Sequence, residues 1–192
     1  MKKNKILTFI NIVLILVSII GSFYFVFTRD NQLGLILKDA SIIITITLPY
    51  IVEKLFKIKI DINTKFAYII FVFMAHFLGA TCELYNKIYW FDKFTHTLSG
   101  VLTAYAAILL LKHLKKYNKK DRFFNVLFII AFALMIASFW EMFEFTANIL
   151  FGGDAQKVAS TGVTDTMMDI IVAFLGSILY SIVYLFFNKK EN

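Results

Sequence analysis

The chain has 192 residues, 59% of them hydrophobic and 17% aromatic, and its mean hydropathy is +0.74. A water-soluble fold of this size has no interior large enough for so much apolar surface, which excludes an ordinary soluble domain and makes lipid the expected solvent. The net charge of +7 comes from lysines clustered between apolar runs, a pattern that accounts for a basic chain with no nucleic-acid partner.

Lys2, Lys3 and Lys5 precede an apolar run over 6–27. The run is too long for a signal-peptide core and no small-residue cleavage pattern follows, so it is expected to be a retained first span. Five more stretches approach the roughly 20 apolar residues that a bilayer crossing takes. They are 35–52, 66–82, 94–111, 123–151 and 166–187. Pro49 is expected to kink or end the second of them. With one proline and no Gly/Ser-rich linker, residues 1–192 read as one integral membrane domain, an all-α polytopic bundle of six transmembrane helices. The lone cysteine, Cys82, leaves no internal disulfide and no thiolate metal motif.

Lysines and arginines are unequally shared between alternate connections. The N-terminus, the second and fourth connections and the C-terminal tail hold fifteen, against five in the others. The richer set includes Lys112, Lys115, Lys116, Lys119, Lys120, Arg122 and the tail residues Lys189 and Lys190; the poorer set includes Arg29, Lys87 and Lys157. The richer side is expected to be cytoplasmic, with both termini inside.

On that map the acids gather in the outer half of the membrane. The run from Phe139 to Phe145 carries Glu141 and Glu144 within an apolar helix, with Glu141 roughly 10–15 Å below its outer end. Acids at such depth are costly and default to functional candidates with a partner or a cation. Asp92 and His96 form an i,i+4 pair where the fourth span enters, and Asp165 and Asp169 form another where the sixth enters. Several carboxylates in low dielectric need protons or a cation, and oxygen donors with imidazole suit a divalent metal ion. His96, Glu141, Glu144 and Asp169 are the candidate metal ligands or acid/base groups, with Asp92 and Asp165 as supporting ligands; Glu141 and Glu144 are the candidate catalytic pair.

Plainer readings compete. Asp92 and Asp165 sit at helix starts, where acids cap free N–H groups. Lys93 reads as a surface neighbour of Asp92. His76 reads as a satisfied core histidine, and Glu141 with Glu144 as a buried pair that holds helices together. Gly100 with Ser99, Thr103 and Ala104, and Gly176 with Ala173 and Ser177, are small residues at helical spacing that let helices approach closely in lipid. Gly152-Gly153-Asp154 reads as a helix stop and turn. No phosphate-binding loop, nucleophile elbow or H-E-x-x-H motif occurs.

Leu48-Pro49-Tyr50-Ile51-Val52-Glu53, Phe77-Leu78-Gly79, the block from Trp90 to Gly100, Trp140-Glu141-Met142-Phe143-Glu144-Phe145 and the block from Gly162 to Asp169 follow in order. Together they resemble the YjdF-like family of bacterial inner-membrane proteins over roughly 40–187. More distantly, the pattern is similar to VanZ-like proteins, which are associated with glycopeptide-antibiotic tolerance. The resemblance implies a multi-pass protein of the bacterial plasma membrane and carries no assigned reaction.

Three functions stay open at this point. One is a metal-dependent site acting on a lipid or envelope-precursor substrate. Another is a binding or permeation protein for a cation or small molecule. The third is a non-catalytic envelope-stress or antibiotic-tolerance protein whose acids specify helix packing. Enzyme status, metal, substrate and oligomeric state are not fixed by the sequence.

Overall fold

The structure, a computed structural model, describes residues 2–28, 33–152 and 154–189. Arg29, Gly153 and Lys190 lie outside the described residues. The chain is all-helical, with no strand among the described residues. Among the described residues six helices are long and apolar enough to cross a bilayer: Asn4–Thr28, Gly34–Phe56, Ile62–Thr81, Phe91–His113, Arg122–Phe151 and Thr164–Phe187. Their outer faces carry exposed residues such as Phe9, Ile20, Leu150 and Phe187, each more than 60% exposed, as suits a chain solvated by hydrocarbon. The chain forms two compact units, Met1–Asp92 and Lys93–Asn192.

The first unit holds α1 (Lys2–Thr28), α2 (Leu33–Ala40), α3 (Ile42–Phe56), α4 (Ile62–Val72), a π-helical segment over Phe73–Thr81, and the single turn α5 (Leu84–Lys87). Ile42 and Ile46 of α3 meet Ile69 and Val72 of α4 and Phe77 of the π segment, with Leu14, Ile15 and Ile19 of α1 against them. The second crossing is not ended at Pro49. It runs on to Phe56 and is interrupted instead at Ser41, between α2 and α3. Proline has no N–H for the carbonyl four residues back, which here belongs to Thr45. The Tyr68 hydroxyl of α4 donates to that oxygen at 2.8 Å, so the helix continues without a stranded acceptor.

His76 is the core histidine expected from its surroundings. Its Nε2 lies 2.9 Å from the Lys38 carbonyl oxygen and its Nδ1 3.1 Å from Thr45 Oγ1. The Lys38 ammonium in turn donates to the Ala80 carbonyl at 3.1 Å, near the end of the π segment.

The second unit is built on α6 (Phe91–His113), α7 (Arg122–Phe151) and α9 (Thr164–Lys189), with the single turn α8 (Val158–Thr161) in the last connection. The unit boundary falls in the first turn of α6, so Asp92 is carried on the same helix as His96. Asp121 starts α7 by accepting from Phe124 N–H. Gly152, at φ +76°, ends it. Ala104, Ala107, Ile108 and Leu111 of α6 form a core with Ile129 of α7 and Tyr184 of α9. At that end the buried Asn125 amide donates to Tyr184 Oη at 2.9 Å and to the Asn118 carbonyl at 2.8 Å.

Helices α6 and α9 cross at two glycines. A Cβ built at Gly100 would lie 2.0 Å from the Ala173 carbonyl oxygen, and one at Gly176 would lie 2.1 Å from that of Thr97. The small residues therefore bring two backbones into contact, as their spacing predicts.

Candidate acid and histidine site

The two glycines fix the register at which the starts of α6 and α9 face each other. Asp92, Lys93 and His96 stand on the first turns of α6, and Asp165 and Asp169 on the first turns of α9. One ligand atom from each of Asp92, His96 and Asp169 lies within 4.8 Å of the other two. All three side chains are buried or half-buried. His96 Nε2 is 3.8 Å from Asp169 Oδ1, close enough for an ion pair when the ring is protonated but too long for a hydrogen bond.

Lys93 is the residue that sequence reasoning undervalued. Its ammonium lies 2.6 Å from Asp165 Oδ1 and 2.8 Å from Asp169 Oδ1, bridging both carboxylates of α9. The i,i+4 spacing that aligns Asp165 with Asp169 is what lets one cation serve both. Asp165 is thus held by side chains, with Lys157 Nζ 3.6 Å from its other oxygen. The signal for Lys93 was available: it is a cation in the first helical turn of a span entering from the lysine-poor side.

Glu141 of α7 is 4% exposed. Gln156, itself buried, donates its amide to the Glu141 backbone oxygen at 3.0 Å and to Oε2 at 3.1 Å. The remaining oxygen, Oε1, is buried and makes no regular hydrogen bond, and Thr166 lies near the carboxyl. His96 and Asp169 are close enough for their charges to act on this carboxylate. Glu141 therefore borders the three-residue group without belonging to it.

Glu144 does not join that group. Its Oε1 accepts from Trp140 Nε1 at 2.8 Å, one turn back on the same helix, and its side chain is half-buried. Three residues advance a helix by about 300°, so Glu141 and Glu144 diverge enough for an i−4 indole to take the second acid. Gln156 and Lys157 were not among the sequence candidates, because neither residue type in a short connection signals a site.

The fold and these residues define a multi-pass helical membrane protein with a buried acid and histidine group on the first turns of α6 and α9. The chain belongs to the family described as predicted membrane protein DUF2238, whose model matches residues 8–190. It is also similar to an uncharacterised protein of Thermotoga maritima, 31% identical over 148 residues, covering 74% of this chain and 71% of that protein. No solved structure matches.

Proposed function

We propose that the group on α6, α7 and α9 binds a divalent cation and that the protein uses it on a lipid or lipid-linked envelope substrate. The observation that carries this reading is the convergence of Asp92, His96 and Asp169 donor atoms within 4.8 Å. Their chemistry, two carboxylates and an imidazole, suits Mn²⁺, Fe²⁺ or Zn²⁺. Acids outnumber the lysines around the group, Asp92, Glu141, Asp165 and Asp169 against Lys93 and Lys157, an excess of carboxylates that a divalent cation would offset. Such an ion would polarise a phosphoryl or acyl oxygen or activate water. Glu141, beside the three ligands, is the acid/base group; Asp165 anchors Lys93 and Lys157; Glu144 stands a turn away as a polar neighbour. The lysine bias supports both termini on the cytoplasmic side, which opens this end of the helices to the outer leaflet of a bacterial plasma membrane. The YjdF-like and VanZ-like resemblances fit such an envelope role.

The Lys93 bridge favours a second reading, a self-neutralised ion-pair cluster that locks α6 to α9. Elemental mass spectrometry of detergent-purified protein separates the two. The metal reading expects about one divalent ion per chain, lost in Asp169→Asn and in Glu141→Gln/Asp169→Asn. A folded wild-type protein that takes up no Mn²⁺, Fe²⁺ or Zn²⁺ after reconstitution would leave the ion-pair reading standing.

A further inference from the structure

Between α7 and α9, residues 154–164 are exposed except for Gln156 and Lys157. Those two are the residues that reach the acid site. Gln156 is 6% exposed and places both of its hydrogen bonds on Glu141. Lys157 is half-buried and points its ammonium at Asp165. The rest of the segment is built locally. Asp154 accepts from Val158 N–H at 2.6 Å and from Ala159 N–H at 3.2 Å, and α8 is one turn between Lys157 at φ +50° and Gly162 at φ +61°. Its apolar side chains, Val158 and Val163, are 52% and 69% exposed. The segment thus has polar attachments to the site and no buried apolar anchor, the profile of an element that opens locally at low cost.

We propose that residues 155–162 are a removable cover on the acid and histidine group, with Gln156 and Lys157 as its two latches. A polar ligand reaches Glu141 from this side only after both release. The Gln156 latch is the stronger. Its amide is buried and one of its acceptors is a carboxylate, whereas the Lys157 pair is longer and partly solvated. The site reading of the preceding section supplies the identity of the ligand, a divalent cation; the cover itself can be tested without any ligand.

The reporter is a thiol beneath the cover, Thr166→Cys, in a Cys82→Ser background, reacted with a membrane-impermeant cationic methanethiosulfonate. Thr166 neighbours the Glu141 carboxyl, and it is neither a latch nor a latch partner. Labelling is expected to be slow in the parent and to speed up about tenfold with Gln156→Ala. With Lys157→Ala the gain is about threefold. An exposed thiol on the segment, Ser160→Cys, is expected to keep one rate in all three backgrounds. If Thr166→Cys labels as fast as Ser160→Cys in the parent, nothing covers it; if its rate is the same with and without the latches, they do not hold the segment. Either result overturns the proposal. Gln156→Glu, which sets a like charge against Glu141, serves in place of the alanine variant if that one does not purify. Added Mn²⁺ gives an independent arm: slower labelling reads cation binding, and no change counts against the metal reading alone.

Discussion

The two units use their buried polar side chains differently. In the first, three of them reach main-chain carbonyls at or beside breaks in the helices, although Lys65 and Glu53 also pair side chain to side chain at 2.7 Å. Tyr68 serves the carbonyl that Pro49 cannot, His76 meets one in the last turn of α2, and Lys38 meets one at the end of the π segment. In the second, α6, α7 and α9 run unbroken for 23, 30 and 26 residues, and their charged groups meet side chain to side chain. Within hydrocarbon every backbone polar group must find a partner inside the protein. A polar residue beside a broken helix is explained by the break. A charged residue on an unbroken helix has no such break to repair, so its side-chain partners mark a candidate site. This contrast turns attention to Asp92, Lys93, His96, Glu141 and Asp169, and away from His76.

The contrast breaks most readily at the α6–α9 crossing. Gly100→Ala/Gly176→Ala would press two methyl groups against backbone oxygens at about 2 Å, and backbone cannot swing aside as a side chain can. The helices must separate, at a cost of about 3 kcal/mol or more. Asp92 and His96 then lose their register with Asp169. The expected outcome is a marked fall in thermal stability in detergent, together with loss of any metal that the wild-type protein carries. A double variant of unchanged stability would show that the crossing does not set the site.

Much of this was legible in the sequence, and for physical reasons. Six long apolar runs have few alternatives in lipid, and the small residues around Gly100 and Gly176 announced a close crossing. The helix periodicity placed Asp92 with His96, and Asp165 with Asp169, on common faces. What could not be read was which faces meet. Glu144 looked equivalent to Glu141 because spacing along one helix says nothing of a neighbouring indole. Lys93 looked peripheral because its partners lie more than seventy residues away. Gln156 was invisible for the same reason: only tertiary packing brings the connection after α7 back onto Glu141. Pro49 suggested an end to the second span because the rescuing hydroxyl, on Tyr68, belongs to another helix.

A smaller effect sharpens the description of the first unit. Tyr68→Phe keeps the ring and removes the hydroxyl that donates to the Thr45 carbonyl opposite Pro49. An acceptor left unsatisfied in a buried setting costs about 1–3 kcal/mol. Pro49→Ala in the same background restores the helical N–H and should recover most of the loss, a rescue readable by thermal unfolding in detergent. If Tyr68→Phe is neutral, or Pro49→Ala fails to rescue it, the hydroxyl is not repairing the helix. Metal content should be unchanged throughout, since neither Tyr68 nor Pro49 belongs to the acid and histidine group.

The smallest expected effect lies at the start of α4, outside the spans. Asp61 caps that helix by accepting from Asn63 and Thr64 N–H at 2.9 and 3.1 Å, and its second oxygen accepts from the Thr64 hydroxyl. The Thr64 hydroxyl, more than any other group, holds the Asp61 carboxyl below the usual aspartate range, against a smaller opposing push from burial. Because the folded state binds the proton less readily than the unfolded chain, the cap contributes fully above the ordinary aspartate pKa. Its contribution is lost as pH falls through the lower folded value. Asp61 is largely solvent-exposed, so Asp61→Ala should cost only about 0.5–1 kcal/mol at pH 7. The gap between wild type and Asp61→Ala should then narrow on acidification below the carboxylate range, whereas the deficit of Tyr68→Phe, which involves no proton, should persist. Parallel melts of the two variants across that pH interval separate an electrostatic cap from a backbone repair within one compact unit.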